Sequence, residues 1–140
     1  RGKDTLLISR ELDYALRILR GLGDGDMHTM RALCEDELIP QKFAYKIIRK
    51  LAAADFITAV RGVGGGVRLT ADLSALTLYD LLKVFQPDER VNHCTSGGYC
   101  CEWMEATQKP CQTRAYLADL EARLARELKR DSLATMLFGK

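Results

Sequence analysis

Histidine is nearly absent: only His28 and His93 occur in 140 residues. A Cys–His nucleophile would have to use one of these two, and nothing in the sequence orients either as a base. The five cysteines contain no Cys-x-x-Cys pair, which removes the thioredoxin-like redox motif. No apolar run approaches the roughly 20 residues of a membrane helix. No charged-then-apolar start marks a secretory signal. The glycine-rich run "GVGGGV" (62–67) lacks the following Gly-Lys-Ser/Thr of a phosphate-binding loop. It also places Val67 where a dinucleotide fingerprint needs Gly or Ala. Internal repeats and low-complexity segments are missing. An enzyme, a membrane partner and a small-molecule substrate are therefore not expected.

What is present reads as one globular, soluble domain, or one domain with an extension. Hydrophobic residues make up 47% and charged residues 29%. A chain of this size can bury a core and often gains stability by dimerising. Without a secretory signal the expected setting is the reducing cytoplasm, where clustered cysteines point to metal or redox chemistry more than to structural disulfides. The net charge of +2 is unevenly spread. Residues 39–70 hold Lys42, Lys46, Arg49, Lys50, Arg61 and Arg68 against Asp55, a local +5 that leaves −3 elsewhere. Such a patch suits a nucleic-acid face, or simply a solvated basic surface.

Helical periodicity starts after Ser9, an N-cap candidate with Glu11 and Asp13 in the first turn. Leu12, Ala15, Leu16, Leu19 and Leu22 form its apolar stripe. "GLGDGD" ends it, and Thr29 can cap a short second helix carrying Met30, Leu33 and Cys34, the last read as packing. Pro40 suits the first turn of a third helix. There Phe43, Ile47 and Leu51 are expected to face the core, with Gln41, Lys42, Tyr45, Lys46 and Arg49 opposite. "ITAV" and "VRLT" around the glycines read as a β-hairpin. Thr77 and Asp80 open a fourth helix, residues 87–111 read as an irregular loop, and a long amphipathic helix is expected over 113–130. "DSLATMLFG" (131–139) follows as a short last turn.

The order of two short helices, a basic-faced third and a glycine-rich hairpin predicts a mainly α fold: a winged helix-turn-helix with a long C-terminal dimerisation helix. The third helix would enter a major groove. In the hairpin wing, Gly64 and Gly65 would let backbone approach the sugar–phosphate rail, flanked by Arg61 and Arg68. Arg61 would reach the minor groove, where the potential is most negative. The expected organisation is a DNA-binding domain over 8–86, a cysteine loop over 87–112, and the dimerisation helix with its last turn over 113–140.

The loop "CTSGGYCCEWMEATQKPC" (94–111) holds Cys94, Cys100, Cys101 and Cys111 in a C-x5-C-C-x9-C pattern. Zinc knuckles use shorter, paired Cys-x2–4-Cys spacings. A lasting disulfide conflicts with a reducing setting, though a transient one does not. Iron–sulfur clusters accept looser spacing and soft thiolates. Spacing alone leaves a cluster and direct thiol chemistry both open.

The stretches "SRELDYALRIL", "IPQKFAYKIIRKLAAADFITAVRGVGGGVRL" and "LTLYDLLKVF", together with the downstream cysteines, resemble the Rrf-type bacterial regulators, the family of IscR, NsrR and CymR. The resemblance runs from about residue 8 to residue 138. It implies a homodimeric winged-helix transcription regulator of double-stranded DNA, whose dimers read half-sites about 34 Å apart or a multiple of that. Carried over by position, base reading falls on Pro40, Gln41, Lys42, Tyr45 and Lys46, and minor-groove contact on Arg61. The Tyr45–Lys46 pair differs from the Glu-Gln pair of the cluster-assembly branch, so the operator sequence does not transfer. The resemblance also implies three cysteine ligands for an iron–sulfur cluster ([2Fe–2S] or [4Fe–4S]): Cys94, Cys100 and Cys111, with Cys101 as the alternative to Cys100. The histidine that completes the site in the cluster-assembly branch is replaced by Arg114, which stays protonated. The nitric-oxide-sensing branch uses an aspartate at the start of the first helix of the partner, which here is Asp13; His93 is the second candidate. A first-turn carboxylate that favours the helix dipole explains Asp13 equally well. The expected function is DNA binding controlled by a cluster that senses redox state, nitric oxide or iron. The alternative is a cluster-free regulator governed by thiol oxidation or by a metabolic partner protein, as in one branch of the family.

Overall fold

The computed structural model describes residues 7–140. Its first helix, α1 (Arg10–Gly21), begins where the Ser9 hydroxyl accepts the Leu12 N–H at 3.2 Å, satisfying one of the orphan donors of the first turn. Leu12, Ala15, Ile18, Leu19 and Leu22 are fully buried, and each leucine removed from water stabilises the fold by about 2 kcal/mol. Helix α2 (Met30–Glu37) is capped by Thr29, whose hydroxyl accepts the Ala32 N–H, and it ends at Leu38 in a left-handed conformation. Pro40 occupies the cap position of α3 (Gln41–Ala53) rather than its first turn.

The core face of α3 differs from the periodicity reading. Ala44, Ile47, Ile48 and Leu51 are buried, whereas Phe43 is exposed. The buried set is an i, i+3, i+4, i+7 stripe, and Phe43 lies just beyond its edge. Its ring stacks instead on Tyr14 of α1, centroids 6.2 Å apart.

Strands β1 (Ile57–Val60) and β2 (Gly66–Leu69) form an antiparallel hairpin with Ile57 opposite Leu69 and Val60 opposite Gly66. The hairpin is anchored to the body by one further bridge. The His28 N–H donates to the Val67 carbonyl at 2.9 Å, and the Val67 N–H donates back at 2.7 Å. Gly66 makes this closeness possible: its φ is 145°, and a Cβ there would overlap the His28 carbonyl.

Helix α4 (Leu78–Phe85) carries the expected reciprocal cap, Thr77 Oγ1 accepting the Asp80 N–H while the Asp80 carboxylate accepts the Thr77 N–H. The following stretch is more ordered than a plain loop. It contains a 3-10 turn (His93–Thr95) and a short helix α5 (Glu102–Thr107). The long helix α6 spans Gln112–Leu128, starting one residue and ending two residues earlier than expected, and none of its residues is buried within the chain. The last turn is a helix, α7 (Leu133–Phe138), that returns to the core. Leu133 is fully buried, its N–H donates to the Leu76 carbonyl at 2.7 Å, and Ser132 bridges Thr77. Among the described residues no helix is long and apolar enough to cross a membrane.

Candidate nucleic-acid interface and cysteine site

The basic candidates lie on the outer side of α3 and on the hairpin that follows it. Pro40, Gln41, Lys42, Tyr45, Lys46 and Arg49 are all exposed, as expected of a helix whose opposite stripe is core. Gln41 Nε2 donates to the Tyr45 hydroxyl at 3.3 Å, so these two side chains form a preset polar pair one turn apart. Lys42 lies over the Phe43 ring at 5.2 Å. Arg61 and Gly64 are exposed at the hairpin turn, and Arg68 points to solvent from β2. Gly65 is half-buried, because its α-carbon sits against the Val60 carbonyl where a side chain would not fit. Among the described residues, Lys42, Arg49, Arg61 and Arg68 enter no ion pair.

Lys46 stands apart from these. Its ammonium is 2.6 Å from Glu11 of α1, and the other oxygen of that carboxylate is 2.9 Å from Lys50. Burial acts to raise the Glu11 carboxyl, but the hydrogen bonds and charges of Lys46 and Lys50 outweigh it and hold it below the usual carboxylate range. Sequence reasoning placed Glu11 only in a first turn. Its partners lie 35 and 39 positions away, so no local pattern could reveal them.

The first part of the cysteine loop is fastened at two points. At its start, Gln86 Oε1 accepts the Ser9 N–H at 3.1 Å and Gln86 Nε2 donates to the Leu7 carbonyl at 2.7 Å, tying the loop to the entry of α1. Further on, Glu121 of α6 accepts the Val91 N–H at 2.8 Å and the Thr95 hydroxyl at 2.7 Å, with Arg90 at 3.7 Å. Burial would raise the Glu121 carboxyl, and the Val91 and Thr95 hydrogen bonds with Arg90 and Lys83 lower it. Gln86 and Glu121 are anchoring positions that the sequence did not signal, since each acts across a long separation.

All five cysteines are free thiols. Cys34 is buried in the core, as its helical position suggested. Cys94 Sγ accepts from Asn92 Nδ2 at 3.4 Å, and Cys111 caps α6, its sulfur accepting the Arg114 N–H at 3.3 Å. Cys100 is exposed and contacts the Gly98 carbonyl at 3.9 Å, while Cys101 is half-buried at the cap of α5. His93 is exposed, and Asp13 is half-exposed and pairs with Arg17 at 3.2 Å.

By type, soft thiols that receive N–H···S hydrogen bonds fit iron or an iron–sulfur cluster. By position they are not gathered. Among the described residues no three His, Cys, Asp or Glu side chains converge on a metal-sized site within the chain. Cys94, Cys100, Cys101, Cys111, His93 and Asp13 are thus not brought together by one subunit alone.

The helix order, the exposed polar face of α3 and the pinned hairpin define a winged helix-turn-helix protein. The model of the Rrf2 family, described as iron-dependent transcriptional regulators, matches residues 8–138, and the chain belongs to that family. Its members are transcription regulators rather than enzymes, with DNA-binding winged helices. Similar solved structures include CymR (YrzC), the global cysteine regulator of B. subtilis, at TM-score 0.73 and 18% identity over 97% of this chain and 99% of that one. Staphylococcus aureus CymR aligns at TM-score 0.67 and 15% identity over 93% and 97%. T. potens IscR aligns at TM-score 0.66 and 18% identity over 95% and 87%. These likenesses establish the shared fold.

Proposed function

We propose that this chain is a homodimeric transcription regulator of the cytoplasm whose affinity for DNA is set by an iron–sulfur cluster. The cluster would be held by Cys94, Cys111 and one of Cys100 or Cys101, with Asp13 of the partner subunit as fourth ligand and His93 as the alternative. The α3 face and the wing read the duplex. The observation that carries the proposal is the placement of four free thiols in one loop between the DNA-binding body and α6, with Cys111 at the very start of that helix. Bound there, a cluster supplies a link that oxygen, nitric oxide or iron loss can break.

The chain's own residues do the rest. Gln86 and Glu121 hold the first part of the loop against α1 and α6, and Asn92 and the Arg114 N–H orient two of the sulfurs. Asp13 sits one turn into α1, on the same helix that stacks on α3 through Tyr14 and Phe43. A change at the cysteines therefore has a short route of packed groups to the reading helix. The test is an anaerobic absorbance spectrum with iron and acid-labile sulfide counts, repeated for Cys100→Ala and Cys101→Ala. Visible bands with bound iron, lost in only one of the two variants, support the proposal and fix the ligand. A colourless, iron-free protein after reconstitution overturns it.

A second reading draws on the exposed Cys100, the adjacent Cys101 and the separation of the donors. In it the thiols themselves are oxidised reversibly. Mass spectrometry after mild peroxide, showing a disulfide reversed by thiol reductant and loss of DNA affinity in iron-free protein, would favour it over the cluster.

A further inference from the structure

We infer that Glu11 is a positioning residue of the DNA-reading face: it holds Lys46 and Lys50 of α3 back from the duplex. The proposal rests on α3 and the wing being the DNA-facing surface. On that surface Lys42, Arg49, Arg61 and Arg68 are unpaired among the described residues. Lys46 and Lys50 instead share the two oxygens of one carboxylate, at 2.6 and 2.9 Å. Lys50 is fixed further by the Phe85 ring, 5.5 Å from its ammonium. Glu11 belongs to a different helix and is only partly exposed, so it does not swing away as a surface glutamate would.

The consequence is a division of labour on α3. The Gln41–Tyr45 pair and Lys42 meet DNA, whereas Lys46 spends its charge on Glu11. Phosphate neutralisation by each lysine would add about 0.9 to the slope of log affinity against log salt. The Glu11 carboxylate withholds that contribution and adds a like-charge repulsion toward the phosphate rail. The effect lowers binding that is independent of sequence more than binding that depends on base contacts, because base reading by Gln41 and Tyr45 carries no charge. Glu11 thereby sharpens specificity without touching DNA.

The experiment measures fluorescence anisotropy of the full chain with a random-sequence duplex three helical turns long, over a series of salt concentrations. The proteins are wild type, Glu11→Gln, Lys46→Gln, the double variant, and Lys42→Ala with Arg61→Ala as controls for the face. Glu11→Gln is expected to bind about tenfold tighter at low salt with a slope steeper by about one to two units. Lys46→Gln alone is expected to change little, and in the Glu11→Gln background to cancel most of the gain, a coupling that a merely structural role of Glu11 would not produce. An unchanged slope for Glu11→Gln, with binding weakened in the controls, overturns the inference and leaves the DNA face standing. Unchanged binding in both controls removes the face and the inference together. Thermal melting of each variant confirms that the compared proteins are folded.

Discussion

At the scale of single residues, Gly66 is the position where the hairpin meets the body. Its backbone conformation favours glycine, and a side chain would overlap the His28 carbonyl. Gly66→Ala should lower stability by about 2–3 kcal/mol, measured by urea denaturation, because strain and a steric clash add. Glu11 yields a pH expectation. Its folded value is held below that of the unfolded chain, so its stabilising effect is present above the ordinary carboxylate range and is lost as pH falls through the lowered folded value. The thermal midpoint of wild type should exceed that of Glu11→Gln at neutral pH, and the gap should close in acid. Caps were the most legible residues in the sequence. Ser9, Thr29, Thr77 and Asp80 all act where local spacing placed them, since a cap interacts only three residues away. Glu11, Gln86 and Glu121 were opaque for the opposite reason: their partners are distant in sequence and near only in the fold.

At the scale of elements, α3 shows how a stripe is misread at its edge. Phe43 and Ile47 satisfy i, i+4 spacing, but the packed face is centred between Ile47 and Ile48, which turns Ala44 inward and Phe43 outward. The two should therefore respond differently to truncation. Ile47→Ala should cost about 2–5 kcal/mol by denaturation, as a cavity in a fully packed site. Phe43→Ala should cost nearer 1 kcal/mol, chiefly the Tyr14 stack. The hairpin was legible as strands and turn, but its bridge to His28 was not, because a single-residue pairing leaves no pattern. In the cysteine loop, the 3-10 turn and α5 escaped a reading tuned to longer periodic segments. Glu121 gives that loop a checkable anchor: Glu121→Ala should speed hydrogen exchange at the Val91 amide, which loses its acceptor.

At the scale of the whole molecule, α6 is the exception to an otherwise well-covered core. Leu117, Leu120, Leu124 and Leu128 line one side, yet none is buried within the chain. A second copy is the proposed cover. Leu117→Asp with Leu124→Asp should shift the protein from dimer to monomer in sedimentation equilibrium while leaving the α1–α3 body folded by circular dichroism. Such a monomer should lose the joint reading of two half-sites, and its affinity for a two-site duplex should fall to that for a single site. The fold class and the long helix were both legible in the sequence. The site was legible only as a set of thiols, because among the described residues no three donor side chains converge within the chain and spacing alone does not say what they hold.

The way α7 closes the fold bears on how α6 can move. Leu133 and the Ser132–Thr77 bridge clamp the far end of α6 to the DNA-binding body, while Cys111 rides on its near end. The 17 residues of α6 make a rod about 25 Å long, clamped at its far end by α7 and tied at mid-length through Glu121. A displacement of about 2 Å at the thiol end, ordinary for a helix shift, would be a tilt of only about 5° about the clamped far end. In the proposed dimer two such rods would add their tilts, and a change of a few ångströms at the cysteines would alter the spacing of the two reading helices against the turns of a duplex.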